Sequence, residues 1–206
     1  MFYGNIRYVT IVFLGEDKMA PKIKYQRKNI LNAALNILRR KGDNALTARN
    51  IAHEMGSSTH PIYSEFNSLN GLKRALIEYA YEYFIEQITT INTPKGFLDI
   101  GVNYVKFSKK EKNIFSFIFM NKDFKMDLLI FDKVDENMLK FIKNDEYVQK
   151  NAVKAYNLIF YNLWIFTHGL ATLIWESEMA YDDELIKKTL KKTGEIIIQG
   201  LAKTKE

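Results

Sequence analysis

At 206 residues, of which 47% are apolar, the chain is long enough to bury a substantial core as one large domain or two small ones. With no cysteine, disulfides, thiolate metal sites and cysteine nucleophiles are excluded, and a reducing, cytoplasmic setting is expected. The net charge of +6 is uneven: residues 1–75 carry 12 Lys/Arg against 5 Asp/Glu, and residues 76–206 carry 18 against 19, so a polyanionic partner is expected at the N-terminal end.

Residues 1–18 (MFYGNIRYVTIVFLGEDK) form an extension. Its apolar run from Tyr8 to Leu14 is too short to cross a membrane and lacks a signal-peptide cleavage site. Met19 is a candidate for the natural first residue, because Gly15-Glu16-Asp17-Lys18 requires purine-rich codons of the kind that precede a bacterial start; the other reading is an added arm. A first helix is expected over Lys22–Lys41, with Ile30, Ala34, Ile37 and Leu38 on its apolar stripe and Lys24, Arg27 and Lys28 at a basic start facing phosphate. Gly42 with Asp43-Asn44 stops it.

Two short helical patterns then meet at a Gly-Ser turn. Thr47 stands at an N-cap, and Ile51, Ala52 and Met55 follow at helical spacing before Gly56 ends the run. Ser58 is placed to cap the next helix, which starts near Thr59, with Pro61 in the first turn where its missing N–H costs little. Ile62 and Phe66 can be buried together, leaving Thr59, His60, Tyr63 and Ser64 on other faces as a surface able to approach nucleic acid. A Gly turn between two helices also occurs in ordinary helical cores, so the joint pattern is what counts.

That pattern, from Arg27 to Leu72, resembles the N-terminal domain of the TetR family of bacterial transcriptional regulators: an alanine-rich first helix, Gly42, Thr47, Ile51-Ala52, Met55-Gly56, Ser58, Tyr63, Phe66, Ser68 and Leu72 in step. The resemblance implies Thr47 and Tyr63 at the DNA backbone and Thr59, His60 and Pro61 at base edges, with Ser58 beside them. Leu69 departs from the family, where a lysine near a phosphate is common; Lys73, one turn on, is the candidate replacement.

A long helix is expected from Leu72 to about Ile91, ended by Asn92-Thr93-Pro94; in the resemblance it connects ligand binding to the DNA-reading heads. Further helices are expected at Lys95–Phe107, Lys110–Met120, Lys125–Lys143, Tyr147–Trp175 and Asp182–Leu201, with Ile114–Met120 short and apolar enough to read as a strand as well.

Between Tyr161 and Trp175 the chain is apolar nearly all round. Trp164, His168 and Gly169 at this spacing resemble the ligand-binding domain of the TetR subgroup named for Trp, His and Gly, which implies an effector and dimerisation through the last two helices. Gly169 would permit close approach of another helix, and Leu185, Ile186, Leu190, Ile196, Ile197 and Leu201 give the final helix its stripe. His168 reads either as a core histidine satisfied by one hydrogen bond or as a ligand contact. The same choice holds for Phe84, Tyr104, Phe107, Phe115, Phe119, Trp164 and Phe166, which either line an apolar pocket or fill a core. His53, His60 and His168 are too scattered for a metal site, and no cofactor motif is present.

The expectation is therefore an all-α chain with an N-terminal helix-turn-helix domain (19–70) and a helical ligand-binding and dimerisation domain (71–206). Its expected role is a homodimeric DNA-binding regulator, a repressor by family habit, on a palindromic double-stranded operator, released by a small hydrophobic or aromatic effector and without a membrane partner. The alternatives are an inducer-independent dimer with a filled core and a small enzyme using His168; no nucleophile or paired acid accompanies that histidine.

Overall fold

The computed structural model describes residues 26–90, 96–121, 136–151, 153–177 and 182–203; the expectations for residues 1–18, Met19 and Lys24 lie outside these. The described residues form α1 (Arg27–Lys41), a 3-10 turn (Asp43–Ala45), α2 (Ala48–Glu54), α3 (His60–Phe66), α4 (Leu69–Thr90), α5 (Phe97–Lys110), α6 (Lys112–Phe119), α7 (Glu136–Lys143), α8 (Glu146–Lys150), α9 (Tyr156–Glu176) and α10 (Asp183–Lys203). The fold is all-α, and the run from Ile114 that also read as a strand is helical.

Helix α1 buries Ile30, Ala34, Ile37 and Leu38 as its periodicity requires, and packs on α2, α4 and α6. Gly42 ends it with φ +76°, a backbone region that favours glycine, while its N–H donates to the Leu38 carbonyl. Thr47 caps α2, its Oγ1 accepting from Asn50 N at 3.2 Å. Gly56, φ +63°, makes the turn into α3, and Asn67 ends α3 in the left-handed region at φ +61°.

Several boundaries differ from the sequence expectation: α1 starts at Arg27, after an extended Gln26, and α5 runs from Phe97 to Lys110. Three further differences have a visible local cause. The N-cap of α3 is Thr59 in helical geometry and makes no side-chain cap bond, so Ser58 does not cap it. Helix α4 begins three residues before Leu72 because the Ser68 hydroxyl accepts from Gly71 N at 2.9 Å, and Gly71 fits because a Cβ there would collide with the Phe66 carbonyl. The single helix expected over Tyr147–Trp175 is two: α8, capped by Asp145 accepting from Tyr147 N and Val148 N, stops where Asn151 turns its amide back onto the Tyr147 carbonyl at 2.8 Å.

Helix α4, about 33 Å long at ~1.5 Å per residue, joins the two ends of the molecule. Leu72 and Leu76 are buried where it meets α1 and α3, and Phe84 and Ile88 where it meets α5 and α6. Helices α5 and α9 run side by side in the same direction: Phe97 packs on Phe160, Tyr104 on His168, and the Ser108 hydroxyl donates to the Ala171 carbonyl at 3.0 Å. Helix α9 is long and apolar enough to cross a membrane by length and composition, yet here it packs against α5, α7 and α10.

A second strut between the ends is the start of α6. Buried Glu111 accepts from Arg39 Nε at 2.9 Å and from the Tyr83 hydroxyl at 3.4 Å, with the Arg39 guanidinium 5.0 Å from the Tyr83 ring centre. Asn113 Nδ2 donates to the Arg39 carbonyl at 3.0 Å, and Trp175 Nε1 donates to the Lys112 carbonyl, also at 3.0 Å. Three consecutive residues thus tie α6 to α1, α4 and α9.

Candidate nucleic-acid interface

The geometry of α3 follows from its two buried anchors. Ile62 and Phe66 face inward, and on the opposite side His60, Tyr63 and Ser64 share one exposed face, flanked by the partly covered Thr59 and Pro61. Tyr63 is 48% exposed, high for a large aromatic. Arg27 anchors the start of α1 to α3, its guanidinium 4.4 Å from the Phe66 ring centre and 3.6 Å from the Glu65 carboxylate. Exposed Lys28 is therefore carried beside α3.

Thr47 is exposed at the start of α2. Its Oγ1 accepts the capping bond, which leaves its proton to donate, so one hydroxyl can cap the helix and hold a phosphate oxygen. Ser58 is exposed in the turn between α2 and α3. Lys73 is largely covered and donates to Asp43 Oδ1 at 2.8 Å, so a phosphate there must displace a carboxylate. Leu69 packs partly buried against the core. Exposed Arg49, in the first turn of α2, was not singled out from the sequence; the only cue was its position two residues after the Thr47 cap.

The aromatic residues expected around a pocket are gathered into one cluster, packed ring on ring. The Phe84 ring centre lies 4.9 Å from Tyr104, 5.0 Å from Phe107 and 5.3 Å from Phe119, all edge-to-face, and Phe115 lies 5.0 Å from Phe119. Trp164 stacks on His168 with centres 4.9 Å apart and planes 2° from parallel. His168 Nδ1 and the Tyr104 hydroxyl are 2.8 Å apart. Burial pushes the imidazole pKa down and the Tyr104 phenol well up. With the ring neutral, Nδ1 and the phenol share one hydrogen bond, whose direction is set by which ring nitrogen carries the proton. Phe166 points elsewhere, into a hollow against α10. Among the described residues, nothing lies within 4 Å of where a side chain at Gly169 would start, so no described helix approaches it.

Among solved structures, the chain is similar to a TetR-like transcriptional regulator from Rhodococcus sp. RHA1, with a TM-score of 0.55 and 16% identity over 86% of this chain and 96% of that one. At that identity the likeness is one of fold. No protein-family model matches the chain, and no curated protein matches it.

Proposed function

We propose that this chain is a cytoplasmic, TetR-like DNA-binding transcriptional regulator, acting as a repressor on a palindromic operator. The observation that carries this reading is the outward face of α3: His60, Tyr63 and Ser64 stand free on a helix whose other side is locked by Ile62 and Phe66, at the basic end of the molecule. In this reading Thr47, Tyr63, Lys28 and Arg49 hold phosphates, while Thr59, His60 and Pro61 meet base edges, with Ser58 and Ser64 beside them. Phosphate contacts make the affinity fall steeply with salt.

A palindromic site calls for a two-fold pair, and the last two helices carry a surface suited to one. Leu158, Asn162, Ile165, Gly169 and Leu173 form a single stripe along α9, with Ile165 and Leu173 each 61% exposed, and Leu185 and Ile196 are exposed on α10. The stripe expected on α10 divides: Ile186 and Leu190 turn inward, Ile197 and Leu201 are partly covered, and Leu185 and Ile196 remain for a partner.

Effector release requires a ligand that prefers the conformation with the wrong head spacing. The packed aromatic cluster favours a second reading, an inducer-independent dimer, unless the ligand binds elsewhere. The test is binding of the purified protein to the DNA upstream of its own gene and to an unrelated duplex at two salt concentrations. Specific, salt-sensitive binding that His60→Ala weakens supports the regulator. Equal, weak binding to both duplexes overturns that choice of operator and of reading face.

A further inference from the structure

A second face of α9, toward the N-terminal ends of α5 and α9 and away from His168, borders a cavity of about 150 Å³. Its walls come from α5, α9 and α10, with Ile142 of α7 and Val148 of α8 completing them, and are mostly apolar: Leu98, Leu163, Phe166 and Ile198 face it beside Thr167. Two glycines leave it open. A side chain beginning at Gly101 would start 3.4 Å from Leu190 Cδ1, and one at Gly194 would start 3.6 Å from Leu163 Cδ2, an ordinary contact. Gly194 is therefore not required by close packing. It is a buried glycine in mid-helix, where alanine would favour the helix, and its effect is to keep the hollow unfilled. A mostly apolar hollow of about this size accepts a benzene-sized molecule.

The polar groups sit at the mouth, where Asp145, Lys191 and Glu195 line the hollow. Lys191 and Glu195 are one turn apart on α10 and offset each other, whereas Asp145 uses Oδ1 to cap α8 and makes no ion pair among the described residues. The mouth is thus net negative and disfavours a carboxylate.

We propose that this cavity binds a small molecule with an apolar body of about benzene size and an amine head, held by the hollow between α5, α9 and α10 and by the carboxylate of Asp145. The inference rests on the regulator reading only for its purpose, as the effector site that the aromatic cluster does not supply. Its test uses no DNA, so its failure would leave operator binding standing.

The measurement is calorimetric titration of the full chain with benzylamine, toluene and benzoate. Benzylamine is expected to bind most tightly, toluene more weakly, and benzoate not measurably. Gly194→Leu, which fills the hollow while improving the helix, is expected to abolish binding of both ligands, and Ile198→Phe repeats this from another wall should Gly194→Leu not fold. Asp145→Asn keeps the cap acceptor and is expected to lower benzylamine affinity about tenfold while leaving toluene unchanged. Binding that survives both filling variants, or no binding of any probe to the wild type, overturns the site. Benzoate or toluene binding as tightly as benzylamine overturns the amine head.

Discussion

The His168 imidazole sits half-buried between Trp164 and the Tyr104 hydroxyl, and burial holds it neutral. Its folded pKa lies below the ordinary 6.5, so between the two values the unfolded chain binds more protons than the folded one. Stability from this group is complete above about pH 6.5 and is lost as pH falls toward the folded pKa. Thermal unfolding of wild type and His168→Gln across pH 5–8 checks this: the variant, whose amide oxygen can still accept from Tyr104, is expected to lose that acid-side slope. In the N-terminal head, Thr47→Ala is expected to destabilise by about 1 kcal/mol, lowering Tm by roughly 2–4 °C, and Thr47→Ser to restore it. Thr47 was legible because an N-cap is a local device. The partner of His168 was not, because Tyr104 lies 64 residues away and nothing in either neighbourhood names the other.

At the level of elements, the junction between α1, α4 and α6 turns on Glu111. Replacing it by Gln leaves Arg39 facing an uncharged amide; because Arg39 is 39% exposed and water can compensate it, the expected cost is about 1–2 kcal/mol, read by denaturant unfolding. Amide exchange at the end of α1 should rise with it, since Asn113 holds that carbonyl from the same turn. Gly71→Ala tests the start of α4: helix propensity alone predicts a gain of about 1 kcal/mol, but the clash with the Phe66 carbonyl should turn this into a net loss of at least about 1 kcal/mol. Helix existence was readable along most of the chain because the 3.6-residue pattern is strong from Ile30 to Leu38 and again through α5, while α9 is apolar nearly all round over a length too great for a strand. The break between α8 and α9 was hidden, since it contains neither Gly nor Pro and depends on one Asn side chain. The cavity by α10 was equally hidden, since Gly194 carries no pattern of its own and only the packing of α10 against its neighbours makes a space beside it.

For the whole molecule, the basic N-terminal end and the free face of α3 were both visible in composition and spacing, whereas the division of the α10 stripe into inward and outward halves depended on which neighbours it met. The exposed stripe of α9 beside it gives the prediction proper to this scale. Ile165→Glu combined with Leu173→Glu is expected to yield a folded monomer by analytical ultracentrifugation, with helical content unchanged and operator affinity reduced at least about a hundredfold; a dimer surviving both charges would move the interface elsewhere. The parallel pairing of α5 with α9 bears on how the chain is made. Its contacts from Tyr104 to His168 and from Ser108 to Ala171 span 64 and 63 residues. At roughly 5–20 residues per second, a ribosome takes on the order of 3–13 s to supply the second helix after the first. For that interval the apolar side of α5 stands open, which marks it as the surface a nascent-chain chaperone would cover. A message truncated ahead of α9 would yield neither a closed core nor a second subunit to pair with, so such a fragment is expected to be cleared rather than to occupy DNA as half a regulator.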